Sequence, residues 1–149
     1  MTTGGVNAVF LDTNILVYAT VPTAPLHARA AARVAAERAA GHELWISRQI
    51  LREYLSALSR PQSFTPPFAA AHLIQEVTAF QAHFVVAEDD ARVTANLLTL
   101  LASIPLAGKQ VHDANIVATM QRYSVPRLLT HNVADSARFA SLITVEPLV

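Results

Sequence analysis

Cysteine is absent from the 149 residues, which removes two classes of protein at once. No disulfide framework can staple the chain, and no thiolate metal site is possible. Charge is scarce too. Asp, Glu, Lys and Arg make up 15 % of the sequence against 52 % hydrophobic residues, a balance that supports a buried core and argues against disorder. Eleven basic residues offset eleven acidic ones, so no global field draws the chain to a polyanion or a membrane surface. Ten of those cations are Arg, and Lys109 is the sole lysine. Long apolar runs are missing as well. The longest stretches free of Asp, Glu, Lys and Arg, Thr13–Ala28 and Val93–Gly108, each have 16 residues and contain proline. A bilayer span needs about 20 predominantly apolar residues, so no membrane helix is expected. The first ten residues carry no basic side chain, and Asp12 follows their apolar run, so no secretory signal is expected either. What remains is one domain, residues 1–149, long enough to bury a core and expected in the cytoplasm.

The residues that are present alternate between strand and helix signals. Apolar, partly β-branched runs predict strands at Val6–Leu11, Leu44–Ile46, Phe84–Ala87, Arg127–Thr130 and Ile143–Val145. Between them, helices are predicted over Pro25–Ala40, an Ala-rich segment ended by Gly41, and from the N-cap Ser47 through Ser59. Further helices are predicted from Pro67 to about Ala82, from Asp89 or Asp90 to about Ser103, from Val111 to Tyr123, and over Ala134–Ala140. Such alternation implies right-handed βαβ units and an α/β fold, a parallel sheet flanked by helices. Ligands of these folds bind beyond the carboxyl ends of the strands, which directs attention to the residues found there.

Asp12 directly follows the first strand, in Leu11-Asp12-Thr13-Asn14. It is either an ordinary helix cap or a site carboxylate fixed by Thr13 and Asn14. Glu53 lies at the margin of an apolar stripe formed by Ile50, Leu51, Tyr54, Leu55 and Leu58 rather than opposite it. Asp113 is the most telling. Ile116, Val117 and Met120 follow at three, four and seven residues, so its carboxylate shares the buried face of its helix. A charge placed there costs several kcal/mol or more unless paired, although a first-turn position also welcomes an anion. Thr130, Asn132 and Asp135 follow the fourth strand, and spacing leaves open whether Asn132 or Asp135 belongs to a site. Converging carboxylates repel, and they either raise one another's pKa or hold a hard cation such as Mg²⁺ or Mn²⁺. The six His residues form no His-x₃-His pair, and direct ligation by His112 or His131 is not expected.

Four short segments lie in register along the chain: Val9-Phe10-Leu11-Asp12-Thr13-Asn14-Ile15-Leu16, Ile46-Ser47-x-Gln49-x-Leu51-x-Glu53-Tyr54, Val111-His112-Asp113-Ala114-x-Ile116-x-Ala118 and Leu128-Leu129-Thr130-x-Asn132. Together they resemble a PIN domain, and within it the VapC-type toxins of toxin–antitoxin pairs. The resemblance implies an α/β/α sandwich around a five-stranded parallel sheet and an Mg²⁺- or Mn²⁺-dependent endoribonuclease. It assigns Asp12, Glu53 and Asp113 as the three principal acids, both metal-binding and catalytic, and places Thr130 beside the metal. The family's fourth acid falls on Asn132, a departure for which Asp135 could compensate. It also implies a homodimer silenced by a VapB-type antitoxin, with structured RNA as substrate.

Arg48, Arg52, Arg60, Lys109 and Arg122 lie on or beside these segments as candidate phosphate contacts, with Lys109 and Arg60 the favoured pair. A haloacid-dehalogenase-type phosphatase fits poorly, because Asn14 stands where its second Asp is needed. A phosphoreceiver fits poorly because its late lysine is missing. The serious alternative is a PIN-like binding module with a weakened metal site, motivated by Asn132. Phe68, Ile74, Val77 and Phe80 in Pro67–Phe84 are expected in the core, with a partner surface as the alternative.

Overall fold

A computed structural model describes residues 3–149. Five strands form one all-parallel sheet in the order β3-β2-β1-β4-β5. The strands are β1 (Val9–Leu11), β2 (Leu44–Ser47), β3 (Val85–Ala87), β4 (Arg127–Thr130) and β5 (Thr144–Pro147). Helices α1 (Thr13–Thr20), α2 (His27–Ala39), α3 (Arg48–Leu58) and α4 (Ala70–His83) connect the first three strands. The chain then crosses to the other side of β1 through α5 (Ala91–Ser103) and α6 (Gln110–Tyr123), and α7 (Val133–Ser136) with a 3₁₀ turn (Ala137–Phe139) leads into β5. Right-handed crossovers running in opposite directions from β1 put α1–α4 on one face and α5–α7 on the other, giving three layers. None of the described helices is long and apolar enough to cross a membrane.

The sheet is short and its three central strands are covered on both faces, so they read as continuous apolar runs. Val9, Phe10, Leu11, Leu128 and Leu129 are at most 1 % exposed. Aromatic pairs brace the packing within and between layers: Tyr54 of α3 meets Phe80 of α4 edge to face at 4.9 Å, and Trp45 of β2 meets Tyr123 of α6 at 5.6 Å.

Side-chain caps start three of the described helices, α1, α3 and α5. The Ser47 hydroxyl accepts from the Ile50 amide at 3.4 Å, and Asp90, rather than Asp89, accepts from the Arg92 and Val93 amides at 3.1 Å. Gly41, at φ +78°, takes the left-handed position that follows α2. Several boundaries differ from expectation. The first strand begins at Val9, not Val6, because Val6 and Asn7 form a turn closed by the Ala8 amide donating to Gly5 at 3.0 Å, and Val6 is exposed. The fourth helix begins at Ala70, not Pro67. The Phe68 amide is committed to the Leu58 carbonyl at the end of α3, 2.9 Å away. Helix α2 begins at His27, two residues after Pro25, and Ala134–Ala140 divides into α7 and the 3₁₀ turn. The last strand runs to Pro147, which is tolerated because β5 is an edge. Of the apolar residues in the fourth helical segment, Phe80 is buried, Phe68 and Val77 pack partly on the core, and Ile74 is exposed.

Candidate active site

The order β3-β2-β1-β4-β5 reverses direction between β1 and β4, and the crevice outside the carboxyl ends of those two strands is where such a sheet receives ligands. Asp12 and Thr130 stand at those two ends. Asp12 is a helix cap that is also held from across the strand ends. As the N-cap of α1 it accepts from the Thr13 amide at 2.8 Å, while its other oxygen accepts from the Thr130 hydroxyl at 2.8 Å. Asn14 links the strand ends: its Nδ2 donates to Asp12 (3.4 Å) and to Thr130 Oγ1 (3.3 Å), and its Oδ1 accepts from the His131 amide (2.9 Å). The Asn132 amide donates to Thr130 Oγ1 at 3.1 Å.

Glu53 comes from α3, on the first face of the sheet. The Thr13 hydroxyl donates to its Oε1 at 2.6 Å, and Gln49, one turn earlier, donates to its Oε2 at 2.9 Å. Gln49 is itself buried and fixed from α6: its amide group also donates to the His112 carbonyl at 2.9 Å, and its carbonyl accepts from Asn115 Nδ2 at 2.8 Å. The bond between Gln49 and Asn115 ties α3 to the first turns of α6. Asp113 lies in the first turn of α6 and opens into the same space.

These residues enclose a cavity of about 390 Å³ lined by Asp12, Glu53, Asp113, Asn132 and Asp135, with Lys109 and His112 at its wall. Asn14 and Thr13 line it too. Thr130 is fully buried behind Asp12. Arg60 does not line the cavity; it is exposed, and its Nε donates to the Ser56 carbonyl at 3.0 Å, because α3 has ended at Leu58 and the side chain turns back on the helix. Arg48 is paired with Glu88 at 2.7 Å and Arg122 with Asp90 at 3.1 Å, whereas Lys109 enters no ion pair among the described residues. Arg52 lines a neighbouring recess with Gln49, Glu53 and His112.

The electrostatics are those of an uncompensated acid cluster. Burial pushes the Asp12 carboxyl up to about 6; the Thr130 and Thr13 hydrogen bonds pull it back, and the Glu53 and Asp113 charges add to the rise. Asp113 is raised chiefly by burial, then by Asp135 and Glu53, against the opposing influence of Arg138 and His112. Carboxyl, hydroxyl and amide oxygens suit Mg²⁺ or Mn²⁺. Among the described residues no three His, Cys, Asp or Glu side chains are grouped closely enough to hold a metal ion between them.

Gln49 and Asn115 are the site residues that sequence reasoning passed over as such, and the position of Gln49 four residues before Glu53 on one helix face was the available signal. Tyr18, Gln62 and Phe64, which also line the cavity, carried none.

The fold has relatives of known structure. The toxin VapC20 of Mycobacterium tuberculosis, a Sarcin-Ricin loop cleaving toxin, superposes with a TM-score of 0.71 at 16 % identity over 94 % of this chain and 100 % of its own. A chain of VapBC2 from Rickettsia felis, bound to a DNA fragment from its promoter, gives 0.70 at 19 % identity over 94 % and 98 %. DNA-bound VapBC from Salmonella typhimurium gives 0.70 at 16 % over 95 % and 98 %. No curated protein matches in sequence. The PIN domain family matches residues 9–138, from the first residue of β1 to the 3₁₀ turn before β5, and so takes in every acidic residue of the cavity. The chain belongs to the PIN domain family.

Proposed function

We propose that this protein is a metal-dependent endoribonuclease, the VapC-type toxin of a toxin–antitoxin pair. The observation that carries the reading is the meeting of Asp12, Glu53 and Asp113, from three separate elements, in one cavity at the switch point of the sheet. Asp12 and Asp113 would hold Mg²⁺ or Mn²⁺, directly or through water, with Glu53 completing the set and Asn132 or Asp135 at its edge. When bound, the ion supplies Lewis acidity that lowers the pKa of water and polarises a phosphoryl oxygen. The chain's own residues prepare for this. Thr130 and the Thr13 amide hold the two Asp12 oxygens, Gln49 and the Thr13 hydroxyl hold the two Glu53 oxygens, and Lys109 is free to meet an RNA phosphate. The VapBC neighbours support a VapB-type antitoxin as partner, and a homodimer is the expected assembly.

Expression of the wild type beside Asp12→Ala, with RNA cleavage followed in Mn²⁺ and in EDTA, tests the reading. Cleavage and growth arrest should need both the metal and Asp12. Toxicity that survives Asp12→Ala, or equal cleavage in excess EDTA, would refute hydrolysis at this site. No cleavage together with calorimetric silence toward Mn²⁺ would favour a PIN-like binding module instead.

A further inference from the structure

One wall of the cavity has no part in the acid chemistry. Val17, Tyr18, Ala57, Gln62 and Phe64 line it beside the carboxylates. Phe64 comes from the connection between α3 and α4, which is pinned rather than loose. Gln62 and Thr65 exchange backbone hydrogen bonds at 2.9 and 3.3 Å, and the Gln62 side-chain amide donates to the Ala57 carbonyl at 2.7 Å. The closed turn sets Phe64 edge to face against Tyr18 of α1, with ring centroids 6.3 Å apart at 72°. Tyr18 is braced by His131, 5.5 Å away at 69°. Both Tyr18 and Phe64 remain partly exposed.

The wall has a polar rim. With its amide nitrogen committed to Ala57, Gln62 keeps Oε1 as an open acceptor, and the Tyr18 hydroxyl enters no hydrogen bond among the described residues. The cavity is thus divided into carboxylates with an unpaired Lys109, suited to a cation and a phosphate, and flat apolar rings with polar groups at the rim. A nucleotide is divided the same way. At about 390 Å³ the space is at the small end of ligand sites, roughly 300–1,000 Å³, and has no room for a stacked duplex. Single-stranded RNA is recognised where unstacked bases meet aromatic side chains.

We infer that Tyr18 and Phe64 seat one unpaired nucleobase next to the scissile phosphate, which makes them specificity-determining residues of the site. The inference rests on the ribonuclease reading above. It implies that this protein cuts RNA where a base can be splayed out, and that Gln62 and the Tyr18 hydroxyl bias the choice of base.

The test begins with a mixed-sequence single-stranded RNA cut by the wild type in Mn²⁺. The cut is mapped, and abasic nucleotides are then placed on either side of it. One of them should lower kcat/KM about 10- to 100-fold, the range that base–aromatic stacking supplies. Phe64→Leu keeps an apolar side chain on the turn but removes the ring. It should lower kcat/KM on the intact RNA by a similar factor, mainly through KM, and level intact and abasic substrates. Phe64→Tyr should restore the discrimination. A wild type that cleaves but ignores the abasic positions, or a Phe64→Leu variant that keeps the full abasic penalty, overturns the base seat and leaves the nuclease reading standing. No cleavage of this RNA by a wild type that cuts structured RNA in Mn²⁺ overturns the base seat alone, and no cleavage of either RNA sinks both. Weaker binding of the antitoxin to Phe64→Leu, with base discrimination untouched, would overturn the inference in favour of a protein ligand for the wall.

Discussion

Replacing Asp12 by Asn should stabilise the metal-free protein at alkaline pH while abolishing its activity. The wild-type carboxyl is pushed from 3.8 up to about 6, first by burial, so ionising it in the folded state is unfavourable. At about 1.4 kcal/mol per pH unit, the displacement amounts to about 3 kcal/mol. The sign follows from a folded-state pKa above the unfolded one. The stability associated with the protonated acid is complete below 3.8, drains as the pH rises through 6, and is gone above that. Asn never ionises and escapes this loss. Its single acceptor oxygen can keep the Thr13 amide bond but not the two donors from Thr130 and Asn14 as well, which costs about 1 kcal/mol. In EDTA near pH 8 the variant should therefore be more stable by about 2 kcal/mol, or about 5 °C in Tm. Near pH 4 the advantage should vanish or reverse. Thermal unfolding followed by circular dichroism across this range measures the difference directly. Adding Mn²⁺ should raise the Tm of the wild type alone, by preferential binding to the native state. A variant less stable than the wild type at pH 8 in EDTA, or a difference that does not change with pH, would refute the assignment of Asp12 as an uncompensated buried acid.

Other substitutions separate the remaining roles. Lys109→Ala should weaken RNA binding and flatten its salt dependence by about 0.7 in the log–log slope, one phosphate contact's worth, as read by filter binding at several salt concentrations. Thr130→Val preserves shape but removes the hydroxyl that donates to Asp12. It should lift the Asp12 pKa further and move the acidic limb of a pH–rate profile upward, with the fold intact by circular dichroism. Glu37→Gln tests structure far from the cavity. Glu37 is buried and contacts Arg127, His42 and Arg33, which hold its carboxyl down near 2, so the change should cost about 2 kcal/mol in urea unfolding at neutral pH. Because the folded-state pKa is depressed, that stabilisation is present above 4.5 and fades as the pH falls toward 2, so wild type and variant should converge in acid.

The sheet was legible because its three central strands are buried on both faces, and the apolar runs that follow from such burial are local signals. Arg127–Thr130 coincides with β4 residue for residue. Helix α1 was not legible. Ile15, Leu16 and Val17 are buried in succession, so the segment shows a solid apolar run rather than the 3.6-residue stripe of a half-exposed helix. Asp113 could be singled out because an acid on an otherwise buried helix face contradicts the pattern around it. Glu53 could not be resolved in the same way, because what fixes it comes from 40 residues away, through Thr13 of α1, and from a buried Gln49 held by Asn115 of α6. Phe64 lies in a connection whose shape depends on one reciprocal backbone pair, and neither composition nor period announces that.

The same contrast explains why the site sits where it does. At the ends of β1 and β4 the chain leaves in opposite directions, so neither strand's following segment covers the gap between them, and polar side chains can face inward without displacing apolar ones. Asn14 uses that gap to join Asp12, Thr130 and the His131 amide across two strands 116 residues apart in sequence. Its amide reinforces the direct bond between Thr130 and Asp12, and it carries no charge of its own. A carboxylate at that position would turn its donor contact to Asp12 into a like-charge contact beside an acid already raised by burial. The uncharged residue two places after Asp12, which argues against phosphatase chemistry in the sequence, is therefore also what spares that buried acid another like-charge neighbour.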